Sequence, residues 1–186
     1  MKCMIKENIY TAKEKKVNDD YFTGNVLIRE ILGESNSAEQ EMYHVTFNKG
    51  ALTTLHFHES DQILIATKGK GVVGSIKGST VTECEIDDND ITILENEGDT
   101  VLIQANKIHF HGAIGEEDFS HIAIRKIYKA NATESKIKKA DNKWQYDLIS
   151  EEIGSKDPEL IKNKSKQVAA KIQTAIQRKI ENNRNL

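Results

Sequence analysis

The sequence predicts a mainly β protein: a small closed barrel followed by a C-terminal α-helix. Three observations carry that expectation. The stretch Gly50 to Gly69 (GALTTLHFHESDQILIATKG) holds His56 and His58 two apart in a run of β-branched and aromatic residues. Successive strand side chains point to opposite faces, so the two imidazoles share one face. The stretch Gly98 to Gly112 (GDTVLIQANKIHFHG) repeats the arrangement with His109 and His111. Two paired-histidine strands suggest a barrel with a metal in its lumen. From Asp157 onward the pattern changes to apolar residues at helical spacing.

Length and charge narrow the classes. At 186 residues, one domain with an appendage is expected, long enough to bury a sizeable core. A formal net charge of −3 gives no reason to expect a nucleic-acid partner. Cys3 and Cys84 make neither a disulfide framework nor a C-x-x-C pair, and are read as ordinary thiols in a reducing compartment. The first twenty residues contain no apolar run of leader length, and nothing later approaches a membrane span. A cytoplasmic protein is therefore expected.

In chain order, 1–19 is charged and polar and reads as an irregular arm laid over a barrel edge or a neighbouring subunit. The barrel is expected over 20–130. Strand-like sequence begins near Thr23, breaks at GESNSAEQ and resumes at Glu41, where Tyr43, Val45 and Phe47 alternate with His44, Thr46 and Asn48. The first histidine strand and a strand from Gln62 follow, then a glycine-rich turn over Lys68 to Gly71. That turn joins strand to strand rather than strand to helix, which removes a nucleotide-binding reading. The acidic segment 83–97 lacks the glycine and terminal glutamate of a calcium loop. Its Asp87-Asp88-Asn89-Asp90 run reads as a solvated hairpin tip. In Gln104-Ala105-Asn106-Lys107, before His109, Asn106 can take a left-handed turn conformation.

Residues 131–156 read as a polar connection around Trp144, and 157–186 as an amphipathic helix. Asp157 suits the N-cap and Pro158, the only proline, the first helical position. Ile161, Val168, Ile172, Ile176 and Ile180 form its narrow apolar stripe. Such a stripe needs a partner surface, on its own barrel or a second copy. The lysines on the other faces suggest an encounter with the acidic segment, with Lys164, Lys166 and Lys171 as the named contacts.

The chain resembles the cupins. Gly50, five residues, His56-x-His58, three residues, position 62, six residues and Gly69 match the spacing of the first cupin motif. Gly98 and His109 match the second. The run His109-Phe110-His111-Gly112-Ala113, then Ser120-His121-Ile122-Ala123-Ile124, is similar to single-domain cupins related to the bacterial manganese-dependent hydroxynitrile lyases. Tyr21-Phe22-Thr23-Gly24 upstream, and Trp144 with Ser150-Glu151-Glu152 downstream, fit the same subgroup.

The resemblance implies a double-stranded β-helix, or jelly-roll barrel, that pairs into dimers or larger homo-oligomers. It implies metal ligands at His56, His58, Gln62 and His109, Gln62 standing where many cupins carry glutamate. Neutral imidazoles suit first-row divalent ions, here manganese first, with iron, nickel, zinc or cobalt as alternatives. With no anionic ligand the ion keeps its charge and acts as a stronger Lewis acid. By family register Tyr43 and Val45 line the cavity and His44 faces outward. His111 and His121 are the expected catalytic residues, titrating near neutrality and exchanging protons with a small-molecule substrate. A lyase of hydroxynitrile lyase type is the leading reading. A cupin dioxygenase with a redox-active metal and a non-catalytic binding cupin are the alternatives.

Overall fold

Among the described residues, ten strands build two five-stranded antiparallel sheets that face each other across a common lumen. The computed structural model describes residues 4–128 and 139–184. Cys3 lies outside them, as does the 131–138 part of the expected connecting segment. The first half of the chain gives β1 (Val26–Leu32), β2 (Gln40–Phe47), β3 (His56–His58), β4 (Gln62–Lys68) and β5 (Gly71–Ser75). Then come β6 (Ile91–Leu94), β7 (Thr100–Ile103), β8 (His109–Ala113), β9 (Phe119–Lys126) and β10 (Asn142–Trp144). Two helices close the chain, α1 (Gln145–Ile153) and α2 (Pro158–Arg184). The sheet orders are β1-β2-β9-β4-β7 and β10-β3-β8-β5-β6. Sequence-distant strands are thus neighbours, as in the expected jelly roll.

Two apolar cores explain why both faces of the second sheet are buried. One fills the lumen below the histidines, with Phe47, Leu64, Val73, Leu94 and Phe119. The other lies outside the second sheet, where Leu55, Ile76, Phe110, Ile149, Ile161, Val168, Ile172 and Ile176 pack under the helices. The two HFH triplets follow from this: each sends its histidines into the lumen and its phenylalanine outward beneath the helices. Gly74 makes room for that outward layer, since a Cβ there would come within 2.2 Å of the Phe110 ring. Gly69 is required in the β4–β5 turn by its φ of +70° and the nearby Asp118 carbonyl.

The apolar stripe of α2 therefore docks on its own barrel. Asp157 Oδ1 accepts the Glu159 amide at 3.0 Å, capping the helix as its sequence predicts. The acidic segment does meet this helix, through Arg178 and Asn182 and through one of the expected lysines. Arg178 reaches Asp88 Oδ1 at 2.5 Å and the Ile86 carbonyl at 2.8 Å. Asn182 also reaches Asp88. Of the three named lysines only Lys171 takes part, donating to the Thr82 carbonyl at 3.1 Å. The Asp87–Asp90 run is thus a docking point, with Asp87 paired to Lys77, rather than a free hairpin tip.

One further expectation needs correction. The span read as a polar connection holds β10 and α1. Helix α1 is only nine residues long, with Leu148 and Ile149 buried, too short for its periodicity to stand out. It ends at Gly154 in a left-handed conformation (φ 62°). His44 points away from the lumen but is not exposed. It is buried under the N-terminal arm, with Tyr10 edge-on at 5.3 Å and Thr67 Oγ1 at 3.2 Å. That arm extends the first sheet at its β1 edge, where the Lys15 amide donates to the Ile28 carbonyl at 2.9 Å. Among the described residues no helix is long and apolar enough to cross a membrane.

Candidate metal centre

Three strands bring the four expected ligand residues together in the lumen. His56 and His58 come from β3, Gln62 from the first position of β4, and His109 from the first position of β8. His56 and His109 are direct cross-strand partners. The turn before β8 sets that register, for Asn106 takes the left-handed conformation (φ 64°) and its amide donates to the His58 carbonyl at 2.7 Å. One ring nitrogen from each of His56, His58 and His109 lies within 4.8 Å of the others. All three are buried.

Hydrogen bonding indicates which nitrogens are free. His56 Nδ1 sits 2.9 Å from the Thr54 carbonyl, and His109 Nδ1 sits 2.8 Å from that of Lys107. A carbonyl only accepts, so each Nδ1 carries the proton and each Nε2 a lone pair. His109 Nε2 then faces Gln62 Oε1 at 3.1 Å, a second lone-pair donor. His58 Nε2 is buried with no hydrogen-bond partner among the described residues. Lone pairs converging in a buried site oppose one another unless a cation or a proton takes them up. Three imidazoles and one amide oxygen suit a divalent transition ion.

His111 and His121 lie beside this cluster and bond to each other, Nδ1 to Nε2, at 3.3 Å. The His111 ring centroid is 5.4 Å from that of His56. Both residues are fully buried, and the expectation that they titrate near neutrality is not met. Burial holds the His121 imidazole down at about 3. Burial, with His121 and His109 nearby, holds His111 well below its ordinary value. The candidate ligand histidines are lowered in the same way, His109 to about 4 by burial. Near pH 7 all five rings are neutral, the form that ligates metal or accepts a proton.

A cavity of about 300 Å³ opens onto the cluster. Tyr43, Val45, His111 and His121 line it, with Phe22, Phe47 and Trp144 as aromatic walls. Tyr43 does not plug it. The Tyr43 hydroxyl accepts from Lys15 Nζ at 2.9 Å and donates to Glu41 Oε2 at 3.0 Å. Arg125 completes this polar side, giving Nε and Nη2 to Glu41 Oε2 at 2.9 and 2.7 Å. Burial works to raise the Glu41 carboxyl, and the Arg125 charge and hydrogen bonds overcome it, holding it below the usual range.

The comparisons with known proteins agree with this architecture. The cupin family model matches residues 29–145. The chain belongs to the cupin family. Among curated proteins this cupin is 30% identical over 115 residues to an (R)-mandelonitrile lyase of Granulicella tundricola, covering 62% of this chain and 79% of that one. Among solved structures it resembles a cupin-like protein of Thermotoga maritima at 30% identity and a TM-score of 0.55, covering 74% of this chain and 88% of that one. A polyketide cyclase of Streptomyces resistomycificus, 12% identical, has the same fold with a TM-score of 0.51 over 70% of this chain and 88% of its own.

Several residues of the cupin's site were not anticipated, Arg125, Glu41, Asn142 and Trp144 among them. Arg125 and Glu41 were within reach of the period-2 rule: Arg125 is four residues beyond His121 on β9, and Glu41 two before Tyr43 on β2. They are cross-strand partners. Asn142 gave no comparable signal, and Trp144 stood out only as part of the family's downstream pattern, not as a site residue. They sit on β10, the strand paired with β3, where Asn142 faces His58 and Trp144 faces His56. Trp144 stacks on His56 at 4.3 Å, and Tyr21 stacks on Trp144 at 4.0 Å.

Proposed function

We propose that this cupin is a metal-dependent lyase acting on a small hydroxyl- or carbonyl-bearing molecule, of the hydroxynitrile lyase type. One observation carries the proposal: a neutral three-histidine, one-glutamine cluster stands beside a buried histidine pair, and both open onto one small aromatic-walled cavity. His56, His58, Gln62 and His109 would hold the ion. Manganese is the ion proposed, by resemblance to the manganese-dependent subgroup. A bound divalent ion would supply Lewis-acid stabilisation of negative charge on a substrate oxygen.

The chain's own groups then divide the work. Phe22, Phe47 and Trp144 hold the apolar part of the substrate and exclude water. His111, neutral at pH 7, takes the hydroxyl proton of a cyanohydrin. The bond to the nitrile carbon breaks as the carbonyl forms, and cyanide leaves with the bonding pair. The proton held on His111, within hydrogen-bond reach of His121, passes to cyanide, giving aldehyde and hydrogen cyanide.

Two features favour this reading over the alternatives. A dioxygenase site commonly includes a carboxylate ligand, and Gln62 provides none. Against a non-catalytic binding cupin stands the His111–His121 pair, two neutral imidazoles placed to exchange a proton beside the cluster. We further propose that the chain forms a homo-oligomer with a second copy. The outer face of the first sheet leaves Ile63 and Leu102 exposed at 37% and 60%, whereas helices cover that of the second sheet.

The test is metal analysis of the purified protein, followed by cleavage of (R)-mandelonitrile with and without a chelator. Activity lost on chelation and restored by Mn(II) is expected. A metal-loaded protein without turnover would overturn the lyase assignment, and a protein that retains no divalent ion would overturn the metal assignment.

A further inference from the structure

We propose that Arg125 and Asn142 are a positioning pair that selects which nitrogen of His58 is free: Arg125 fixes the amide of Asn142, and Asn142 fixes the imidazole. The geometry rests on hydrogen bonds within the chain. Its consequence for ligation rests on the metal reading above.

Asn142 stands opposite His58 in the β3–β10 pairing. Its Oδ1 lies 2.5 Å from His58 Nδ1 and 2.5 Å from Arg125 Nη1. A guanidinium only donates, so the Asn142 amide must turn its oxygen, not its NH₂, toward Arg125. Glu41 prevents Arg125 from swinging away, binding Nε and Nη2 from the other side. The oxygen thus fixed is also the acceptor presented to His58. A neutral imidazole that donates from Nδ1 carries its lone pair on Nε2. That is the buried nitrogen left without a partner among the described residues.

The arrangement also holds a competitor. Arg125 Nη1 lies 2.6 Å from His58 Nδ1 itself. Were Nδ1 to accept from Arg125, the proton would move to Nε2 and close that nitrogen to a cation. The Asn142 oxygen, within reach of both groups, decides between the two tautomers. Removing Asn142 therefore does more than delete one contact: it hands Nδ1 to Arg125. Outer hydrogen bonds of this kind fix the ring orientation and tautomer of metal-binding histidines.

Two measurements on the full chain test this. Nitrogen-15 spectra of histidine-labelled, metal-free protein report the His58 tautomer directly. Isothermal titration with Mn(II) reports affinity. The wild type is expected to carry the proton on Nδ1. Asn142→Ala should move it to Nε2 and weaken Mn(II) binding by about 10- to 100-fold. Asn142→Ala combined with Arg125→Met removes the competitor and should recover part of that loss. Asn142→Asp, whose carboxylate can only accept, should keep the Nδ1 proton and bind at least as tightly as wild type. An Asn142→Ala protein with an unchanged tautomer and unchanged affinity would overturn the proposal. Should that variant not fold, an Nε2 proton in Asn142→Asp would overturn it alone. If wild type binds no Mn(II), the metal reading fails, while the tautomer measurement still decides the role of the pair.

Discussion

His109 Nε2 faces Gln62 Oε1 across 3.1 Å inside a buried site, and both atoms present lone pairs. The contact makes sense as two neighbouring ligands of one ion. Gln62→Leu is expected to weaken Mn(II) binding at least tenfold, by calorimetry. Gln62→Glu should keep the ion but lower turnover, because an anionic ligand reduces the charge available to the substrate oxygen. Equal Mn(II) affinity in Gln62→Leu and wild type would remove Gln62 from the ligand set.

Proton transfer and ion binding are assigned to different histidines, so they should separate. His111→Ala is expected to retain Mn(II) and lose about 10²- to 10⁴-fold in kcat on (R)-mandelonitrile. His121→Ala should cost less, because in the proposed proton transfer His121 serves as the hydrogen-bond partner of His111. Full turnover by metal-loaded His111→Ala would end the assignment.

The buried histidines also set an acid limit on the metal-free fold. Burial lowers His109 to about 4 and His121 to about 3, against an ordinary value of 6.5. Below pH 6.5 the unfolded chain therefore binds more protons than the folded one, and stability falls as pH falls. The contribution is complete above about pH 6.5, and for His109 alone its loss amounts to roughly 3 kcal/mol by pH 4. Urea midpoints of metal-free protein should fall steadily from pH 7 to pH 4. A flat profile over that range would contradict the burial argument.

The helix should depend on its apolar stripe far more than on its charges. Ile172 is buried at 3% exposure, and Ile172→Ala should cost about 2–5 kcal/mol in urea unfolding. Arg178→Glu, which reverses the pair with Asp88, should lower the thermal midpoint by a smaller amount that shrinks in high salt. Lys164→Glu and Lys166→Glu should leave it unchanged. A larger loss from either lysine than from Arg178 would point to a contact outside this chain.

What the sequence revealed follows from where spacing carries information. The H-x-H pairs and their glycines mark barrel strands, and the long stripe from Ile161 to Ile176 marks a helix, because burial imposes a period on each. Arg125 and Glu41 obeyed the same period, but a charged pair in a lumen is not expected until its partner is seen. Asn142 and Trp144 were illegible as site residues for another reason. They reach the site through a three-residue strand held in place by α1, an arrangement set by tertiary packing rather than local pattern.

The chain has a single tryptophan, and it lies flat against His56. Its emission is therefore an optical gauge of the lumen that needs no label. Paramagnetic quenching by Mn(II), set beside the response to diamagnetic Zn(II), would read occupancy without any substrate. In the purified protein, emission that falls with Mn(II) but not with Zn(II) would report an ion bound beside His56.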